Sequence, residues 1–339
     1  MRRWQKDYVE SWSAPEGAFF IFDRSGLACY GIESGFICVK ESWRFEMEDN
    51  KNAGAGRKFL EGILVSFEIM AMFMALQIMV SIAGAAGALT AYILQTGEDV
   101  THAQYALLDI MSDSSYMTKL MVMATLASAV FSVPAYWIIW GRNKTAEDRL
   151  FFKEKVLKLK PFAMIVIASC GLYYLALLIV AVIAVVSPST MYEYNEMMDT
   201  ALGGSEMLAM LAAVILAPIN EECIMRGLIL RNLQRFFSAP VVIIMQAVMF
   251  GIFHGNWVQG LYVLPVGAAL GYVAVRSRSV IPCIFMHLFY NSLSFAVGML
   301  PEFCQTGIFA IIVVVGSAAA VLFMGRTGCT PQVSGTEYH

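Results

Sequence analysis

The chain has 339 residues, of which 58% are hydrophobic and 14% are charged, and its net charge is −3. Soluble domains carry about 25% charged residues, so this composition excludes an ordinary soluble protein. The weakly acidic balance, without a basic patch, also argues against a nucleic-acid partner. Seven scattered cysteines without a CxxC pair indicate buried thiols in a reducing compartment rather than a disulfide framework.

Residues 1–59 are polar and mixed, and we predict an N-terminal cytoplasmic segment of unknown role. Its start, MRRWQKDYVESW, is basic but is not followed by a long apolar stretch, so we do not interpret it as a signal peptide. Further along, the stretch GAFFIFDRSGLACYGIESGFICV has short apolar runs broken by charges and glycines. This pattern predicts short strands with glycine turns.

Residues 60–326 form the predicted membrane-embedded domain, and 327–339 form a C-terminal tail. Several apolar runs reach 18 residues, which is long enough to cross roughly 30 Å of hydrocarbon. We therefore predict an all-α polytopic membrane protein with about eight transmembrane helices. The predicted spans are 60–94, 117–141, 161–187, 206–233, 239–256, 258–275, 280–299 and 306–325.

The distribution of Lys and Arg predicts the orientation of these spans. The loop 142–160 has seven of these residues, whereas the loops 95–116, 188–205 and 300–305 have none. Because cytoplasmic loops are enriched in Lys and Arg, eight spans place loop 142–160 and both termini in the cytoplasm. We expect an integral protein of the cell (plasma) membrane, with the lipid bilayer as its first partner.

A few ionisable side chains fall inside the predicted spans. A charge at the bilayer centre costs roughly 2.5–3.5 kcal/mol on insertion scales, so such residues are functional candidates by default. They are Glu68, Glu221, Glu222, Arg226, His254 and His287. We assign no role to Glu68.

The span 206–233 contains two adjacent carboxylates. Glu222 and Arg226 are four residues apart, so they share a helix face and are expected to pair. Glu221 is rotated by about 100° from Glu222, which leaves it without a partner on its own face and makes it the candidate general base. A purely structural Glu–Glu–Arg cluster that holds helices together is the alternative.

Two later spans each carry a histidine with a second residue on the same face. Phe250 and His254 are four residues apart, as are His287 and Asn291. The structural alternatives are a core histidine bonded to a carbonyl, and an interhelical polar clamp. At α-helical rise, His287 lies only about 14 Å above the cytoplasmic turns, compared with about 21 Å for Glu221 and about 24 Å for His254. A kink at Pro282, or an extension of the 206–233 helix beyond the membrane, would remove this mismatch.

Together these residues resemble the CPBP family of intramembrane proteases (CAAX protease and bacteriocin processing, also called Abi). That family is marked by EExxxR, FxxxH and HxxxN on successive core helices. The matching stretches are EECIMR at 221–226, FGIFH at 250–254 and HLFYN at 287–291. The resemblance covers about residues 206–299 and implies an endopeptidase that cleaves a membrane-presented peptide or protein, either of CAAX type or of leader-peptide type.

The resemblance also implies roles for the motif residues. The first glutamate and the FxxxH histidine, Glu221 and His254, would activate a water molecule. His287 and Asn291 would stabilise the developing oxyanion, as peptide hydrolysis requires.

Glu222 and Arg226 would orient the first glutamate. Glu221, His254 and His287 also resemble the His₂Glu ligands of a catalytic zinc, but HExxH is absent. A Zn²⁺-dependent mechanism and a metal-free, glutamate-dependent mechanism therefore both remain open.

Two non-proteolytic functions are compatible with the same pattern. One is a non-catalytic membrane regulator or scaffold that keeps the family fold. The other is a transporter that uses Glu221 and the histidines as a proton relay. The chain has no evident internal repeat, which argues against the transporter.

Overall fold

The computed structural model describes residues 19–22, 27–32, 35–40, 55–142, 144 and 158–326. Helices account for most of this part of the chain, as the composition predicts. They are α1 (Ala55–Thr96), α2 (Val100–Ser112), α3 (Ser114–Tyr136, continued by a π turn at Trp137–Gly141), α4 (Leu159–Val186), α5 (Pro188–Leu202), α6 (Glu206–Leu233), α7 (Ala239–Phe253), α8 (Trp257–Ser277), α9 (Ile281–Ala296) and α10 (Gly307–Arg326). Short 3₁₀ turns follow α9 at Val297–Met299 and Glu302–Gln305.

The N-terminal segment contains a small antiparallel sheet. Its strands are β1 (Phe19–Phe22), β2 (Leu27–Ile32) and β3 (Gly35–Lys40), in the order β1-β2-β3. This confirms the short strands predicted from the alternation of apolar runs and glycines. The helical unit, Ala55–Leu322, is separate from the unit that contains the sheet. Most of loop 142–160 and the tail 327–339 lie outside the described residues.

Seven of the described helices are long and apolar enough to cross a membrane, so the protein is an integral membrane protein. They correspond to seven of the predicted spans. The predicted span 239–256 is instead the shorter apolar helix α7, of 15 residues. At 1.5 Å per residue, α7 is roughly 22 Å long, less than the hydrocarbon thickness of about 30 Å.

Helix α1 is longer than a single crossing requires. Its 42 residues extend over roughly 63 Å. Glu68 lies near the first third of the helix and its side chain is exposed. The extra length allows this carboxylate to lie near a membrane surface, although the sequence places it within the first span.

Helices α7 and α8 form a tight hairpin. The helix α7 ends at Phe253, Gly255 adopts φ +63°, and the Asn256 side chain accepts a hydrogen bond from Gln259 N at the start of α8. Glycine tolerates this left-handed conformation without a Cβ penalty. Further along, a Cβ added to Gly251 would lie 2.9 Å from the oxygen of Gly260, so the two backbones are in close contact. Small residues permit such packing between membrane helices.

The second half of α6 is the centre of the bundle. Every residue from 222 to 233 is buried, and the apolar ones pack against side chains of α1, α4, α7, α8 and α9. A helix that is buried on all sides brings each of its polar residues into contact with another helix. Glu222 and Arg226 are therefore held inside protein and not in lipid.

Candidate active site

Helix α6 is irregular where it carries the glutamate pair. An α-helical segment, Ala217–Glu222, lies between two π-helical segments, Leu211–Leu216 and Cys223–Ile229. Such π segments are frequent at functional sites. Each π turn takes in an extra residue and rises less per residue than an α turn, so heights estimated from α-helical rise are too large for this helix.

Glu222 is the most connected carboxylate of the site. Its Oε1 atom accepts a hydrogen bond from Arg226 Nη1 at 2.9 Å and another from His287 Nδ1 at 2.8 Å. The Glu222 and Arg226 side chains are both fully buried. The predicted i, i+4 pair is confirmed, and its carboxylate also connects α6 to α9.

Arg226 is held from a second side by α7 and α8. Its Nη2 atom donates to Gly267 O at 3.2 Å, and its guanidinium lies 4.5 Å from the centre of the Phe250 ring. A cation over an aromatic face is attracted by the ring quadrupole. Arg226 therefore connects three helices of the site.

His287 lies between the two glutamates. A carboxylate accepts hydrogen bonds, so the Nδ1 atom that faces Glu222 must carry a proton. The other ring nitrogen, Nε2, is 3.8 Å from Glu221 Oε2, which is too long for a direct hydrogen bond. Nε2 is thus the His287 atom that remains available to a reactant next to Glu221. Glu222 therefore contacts this ring on its Nδ1 side, and Glu221 lies on its Nε2 side.

His254 is oriented by the backbone of its own helix. Its Nδ1 atom is 2.7 Å from Phe250 O, and because a carbonyl only accepts, Nδ1 carries the proton. In the neutral ring the lone pair is then on Nε2. Glu221, Arg226 and His287 all lie within electrostatic range of this ring.

Phe250 is the common support of these groups. Its buried ring contacts the ring of His254 edge-on, at 4.7 Å between centroids, and that of His287 at 5.9 Å. The same phenyl ring therefore contacts three motif side chains, which are His254, His287 and Arg226. The three motifs therefore converge, and the height mismatch estimated for His287 is absent. Pro282 falls in the first turn of α9, where it does not kink a helix.

Exposure separates the two glutamates. The side chain of Glu221 has a relative solvent accessibility of 16%, whereas that of Glu222 is 0%. Glu221 is the carboxylate that a water molecule or a peptide can reach.

Asn291 points toward the first π segment of α6. Its Nδ2 atom donates to Ala213 O at 2.7 Å. The amide has a second N–H, so this bond leaves one donor free on a partly exposed side chain. Asn291 and His287 are one helical turn apart on α9, as their spacing predicts.

Three groups next to these residues were not predicted. Gln246 is fully buried, and its Nε2 atom donates to Gly267 O at 2.7 Å, the carbonyl that Arg226 also uses. Its position four residues before Phe250 is the sequence signal that would have indicated it. Asn220 accepts hydrogen bonds from Ser128 at 3.0 Å and Ser132 at 2.7 Å, which connects α6 to α3.

The third group is a pair of tyrosines on α5 and α8. The hydroxyls of Tyr194 and Tyr262 are 3.0 Å apart, and the Tyr262 hydroxyl lies within electrostatic range of Glu221. Tyr194, Ile183 and Val258 form a small apolar cluster at this position. Helix α5 therefore covers the α7–α8 turn, which adjoins His254.

The candidate ligands of a metal do not form a recognisable metal site. In the part of the chain that the structure describes, no three His, Cys, Asp or Glu side chains are arranged so that they could hold a metal ion. The Nδ1 atoms of His254 and His287 are bonded to a carbonyl and to Glu222 respectively, which leaves both Nε2 atoms open. Histidines that bind a metal commonly have such a partner on the other ring nitrogen. Four described cysteines (Cys170, Cys223, Cys283 and Cys304) are free thiols.

A comparison with protein families finds one match in the region that carries the three motifs. Residues 203–293 match the family described as type II CAAX prenyl endopeptidase Rce1-like. Neither the comparison with curated proteins nor that with solved structures gives a match. The matched region contains all six motif residues, which confirms the resemblance inferred from them. The segment 203–293, with its converging glutamates and histidines, is thus similar to the Rce1-like family.

Proposed function

We propose that this protein is an intramembrane endopeptidase that hydrolyses a peptide bond with a water molecule activated by Glu221 and His254. The observation that carries the proposal is the convergence of His254 and His287 on Phe250, with Glu221 3.8 Å from His287, inside a membrane bundle. The family match supports a CAAX-type activity. A leader-peptide-type substrate presented at the membrane is the alternative.

In this mechanism, a water molecule lies between the Glu221 carboxylate and His254 Nε2. The proton on His254 Nδ1 is fixed by Phe250 O, so Nε2 accepts a hydrogen bond from the water and aligns it. Glu221 takes the other water proton as the oxygen attacks the scissile carbonyl carbon. Such a positioned base contributes typically 10²–10⁴-fold to the rate.

The oxyanion that forms is stabilised by donors from α9. Asn291 has one N–H that is not used by Ala213 O, and the imidazolium form of His287 presents an Nε2–H on the side of Glu221. When the C–N bond breaks, Glu221 returns its proton to the leaving amine. Two donors aimed at developing charge in a desolvated site account for a large part of the catalysis in acyl transfer.

Glu222 and Arg226 act as positioning residues in this scheme. Their ion pair is fully buried and touches no solvent, so it is not accessible to a substrate. It fixes the His287 ring through Nδ1. We therefore infer that Glu222 orients the oxyanion donor His287 directly.

The membrane topology is part of the proposal. The excess of Lys and Arg in loop 142–160 supports eight crossings with both termini in the cytoplasm of a plasma-membrane protein. In this topology α7 is the short crossing. Single cysteines introduced into loops 95–116 and 142–160 of a cysteine-free variant should react with a membrane-impermeant maleimide only in loop 95–116 of intact cells.

The test of the proposed activity is cleavage by purified protein in detergent or in liposomes. The substrates are a farnesylated CAAX peptide, its unmodified form and a leader-type peptide. Wild-type protein should cleave at least one of them, and Glu221→Gln and His254→Ala should lose roughly 10²–10⁴ in kcat. Glu68→Gln is the matched control and should cleave normally, because that carboxylate is exposed and has no role in the proposed mechanism.

Two outcomes would decide against this mechanism. Equal cleavage by wild type and Glu221→Gln would remove Glu221 from the reaction. Loss of cleavage on chelation, restored specifically by Zn²⁺, would replace the metal-free mechanism by a zinc-dependent one.

A further inference from the structure

The first π segment of α6 leaves one backbone carbonyl without a helical donor. The N–H of Ala217 is donated to Ala212 O, five residues earlier, and not to Ala213 O. The next residue, Pro218, has no N–H to donate. Neither of the two residues that normally follow in the ladder can therefore satisfy Ala213 O.

Asn291 supplies the missing donor from another helix. Its side-chain Nδ2 is 2.7 Å from Ala213 O. The assignment of nitrogen rather than oxygen at this point follows from the partner, because a carbonyl cannot donate. A carbonyl without a donor is costly inside a membrane bundle, so this contact holds the amide of Asn291 in one orientation.

We propose that Pro218 is a positioning residue of the hydrolytic site. Because Pro218 has no N–H, Ala213 O remains free to accept the hydrogen bond that fixes Asn291. Because one N–H of the amide is fixed on Ala213 O, the direction of the second N–H is fixed as well. That second N–H is the donor assigned to the oxyanion, so the catalytic part of this inference rests on the proposed function. The anchoring itself does not.

Pro218→Ala reverses this arrangement with a small change in volume. It restores an N–H in the position from which the π ladder would continue to Ala213 O. The backbone then competes with Asn291 for the same carbonyl, and the amide loses its fixed orientation. When a catalytic group loses its fixed orientation in this way, we expect the rate to fall by roughly 10–100-fold.

The first experiment compares kcat and KM for wild type, Pro218→Ala and Asn291→Ala. We expect Pro218→Ala to lower kcat by roughly 10–100-fold and to leave KM within about twofold, because substrate binding does not involve the oxyanion donor. The double variant should be no slower than Asn291→Ala alone. The control is Pro134→Ala, which also removes a proline inside a membrane helix, but at an exposed position on α3. Its kcat and KM should equal those of wild type.

The second experiment is a thermal-unfolding cycle that does not depend on activity. Asn291→Ala in the wild-type background leaves Ala213 O without a donor and should lower the unfolding midpoint by roughly 2–8 °C. In the Pro218→Ala background the backbone N–H replaces the lost donor, so the same substitution should lower the midpoint by less than half as much.

The outcomes separate the two parts of the inference. Equal midpoint losses in both backgrounds would overturn the anchoring of Asn291. The positioning role would be overturned if the unfolding cycle gives the smaller midpoint loss expected in the Pro218→Ala background but Pro218→Ala has the kcat of wild type. If wild type does not cleave, or Glu221→Gln cleaves equally well, the proposed function fails, and the unfolding cycle still decides whether Pro218 creates the anchor.

Discussion

Replacing Glu222 by glutamine tests the buried ion pair at the centre of the site. The side chains have nearly the same shape, but the substitution removes the negative charge that Arg226 Nη1 contacts at 2.9 Å and His287 Nδ1 at 2.8 Å. Both members of the ion pair are fully buried, so the arginine cannot recover solvation. Removing one partner of such a pair costs about 3–5 kcal/mol.

This loss corresponds to a midpoint decrease of roughly 6–20 °C, with 2–4 °C per kcal/mol for a large domain. The measurement is thermal unfolding in detergent micelles, followed by tryptophan fluorescence. Glu68→Gln makes the same chemical change at an exposed position and should stay within about 0.5 kcal/mol of wild type.

A second variant distinguishes loss of the pair from loss of packing. Replacing both partners, with Glu222→Gln and Arg226→Met together, removes the uncompensated charge and should recover part of the stability. A Glu222→Gln protein as stable as wild type would refute the reasoning. So would a double variant less stable than the sum of the two single changes.

Two further substitutions test the supports of the site. Gly271→Ala should lower the unfolding free energy by about 1–3 kcal/mol, because the added Cβ would lie 2.3 Å from Gln246 Nε2 and displace it from its carbonyl. Tyr262→Phe should cost about 1–2 kcal/mol, since it leaves the hydroxyl of Tyr194 without its partner at 3.0 Å. Chemical or thermal unfolding measures both effects, and Tyr194→Phe combined with Tyr262→Phe should cost less than the sum of the single changes.

Each substitution has a matched control. Gly316→Ala, on the membrane helix α10, places its Cβ in open space and should be neutral or slightly stabilising. Tyr272→Phe, on the same helix as Tyr262, removes a hydroxyl from an exposed ring and should be neutral. Equal losses in test and control would show that the contacts of Gln246 and Tyr262 do not stabilise the fold.

Local spacing was sufficient to predict the connection within α6. Residues four apart on a helix are neighbours whatever the tertiary structure, so the pairing of Glu222 with Arg226 followed from the sequence alone. The helical class, and the turn between α7 and α8 at Gly255, followed from apolar run length and turn composition in the same way. The end of α7 was placed three residues too late, which is the usual uncertainty of a helix terminus.

Contacts between helices were not predictable from spacing. The sequence did not identify Glu222 as the partner of His287, because their bond joins residues that are 65 positions apart. The estimate of heights assumed regular α-helical rise, whereas α6 contains two π segments. Pro218 in the sequence indicates that α6 is not a regular α-helix at this point. The hydrogen bond from Asn291 could not be predicted, because it depends on where α9 packs against α6.

The fully buried pair on α6 also has a consequence for the biogenesis of the protein. Helix α6 leaves the ribosome before α7, α8 and α9, so its charges meet the lipid before Gly267 and His287 exist to contact them. Arg226 is already present four residues after Glu222, and the two can neutralise each other within a single inserting helix. This internal counter-ion allows a span that carries a buried ion pair to remain in the membrane until the last of its partners is synthesised.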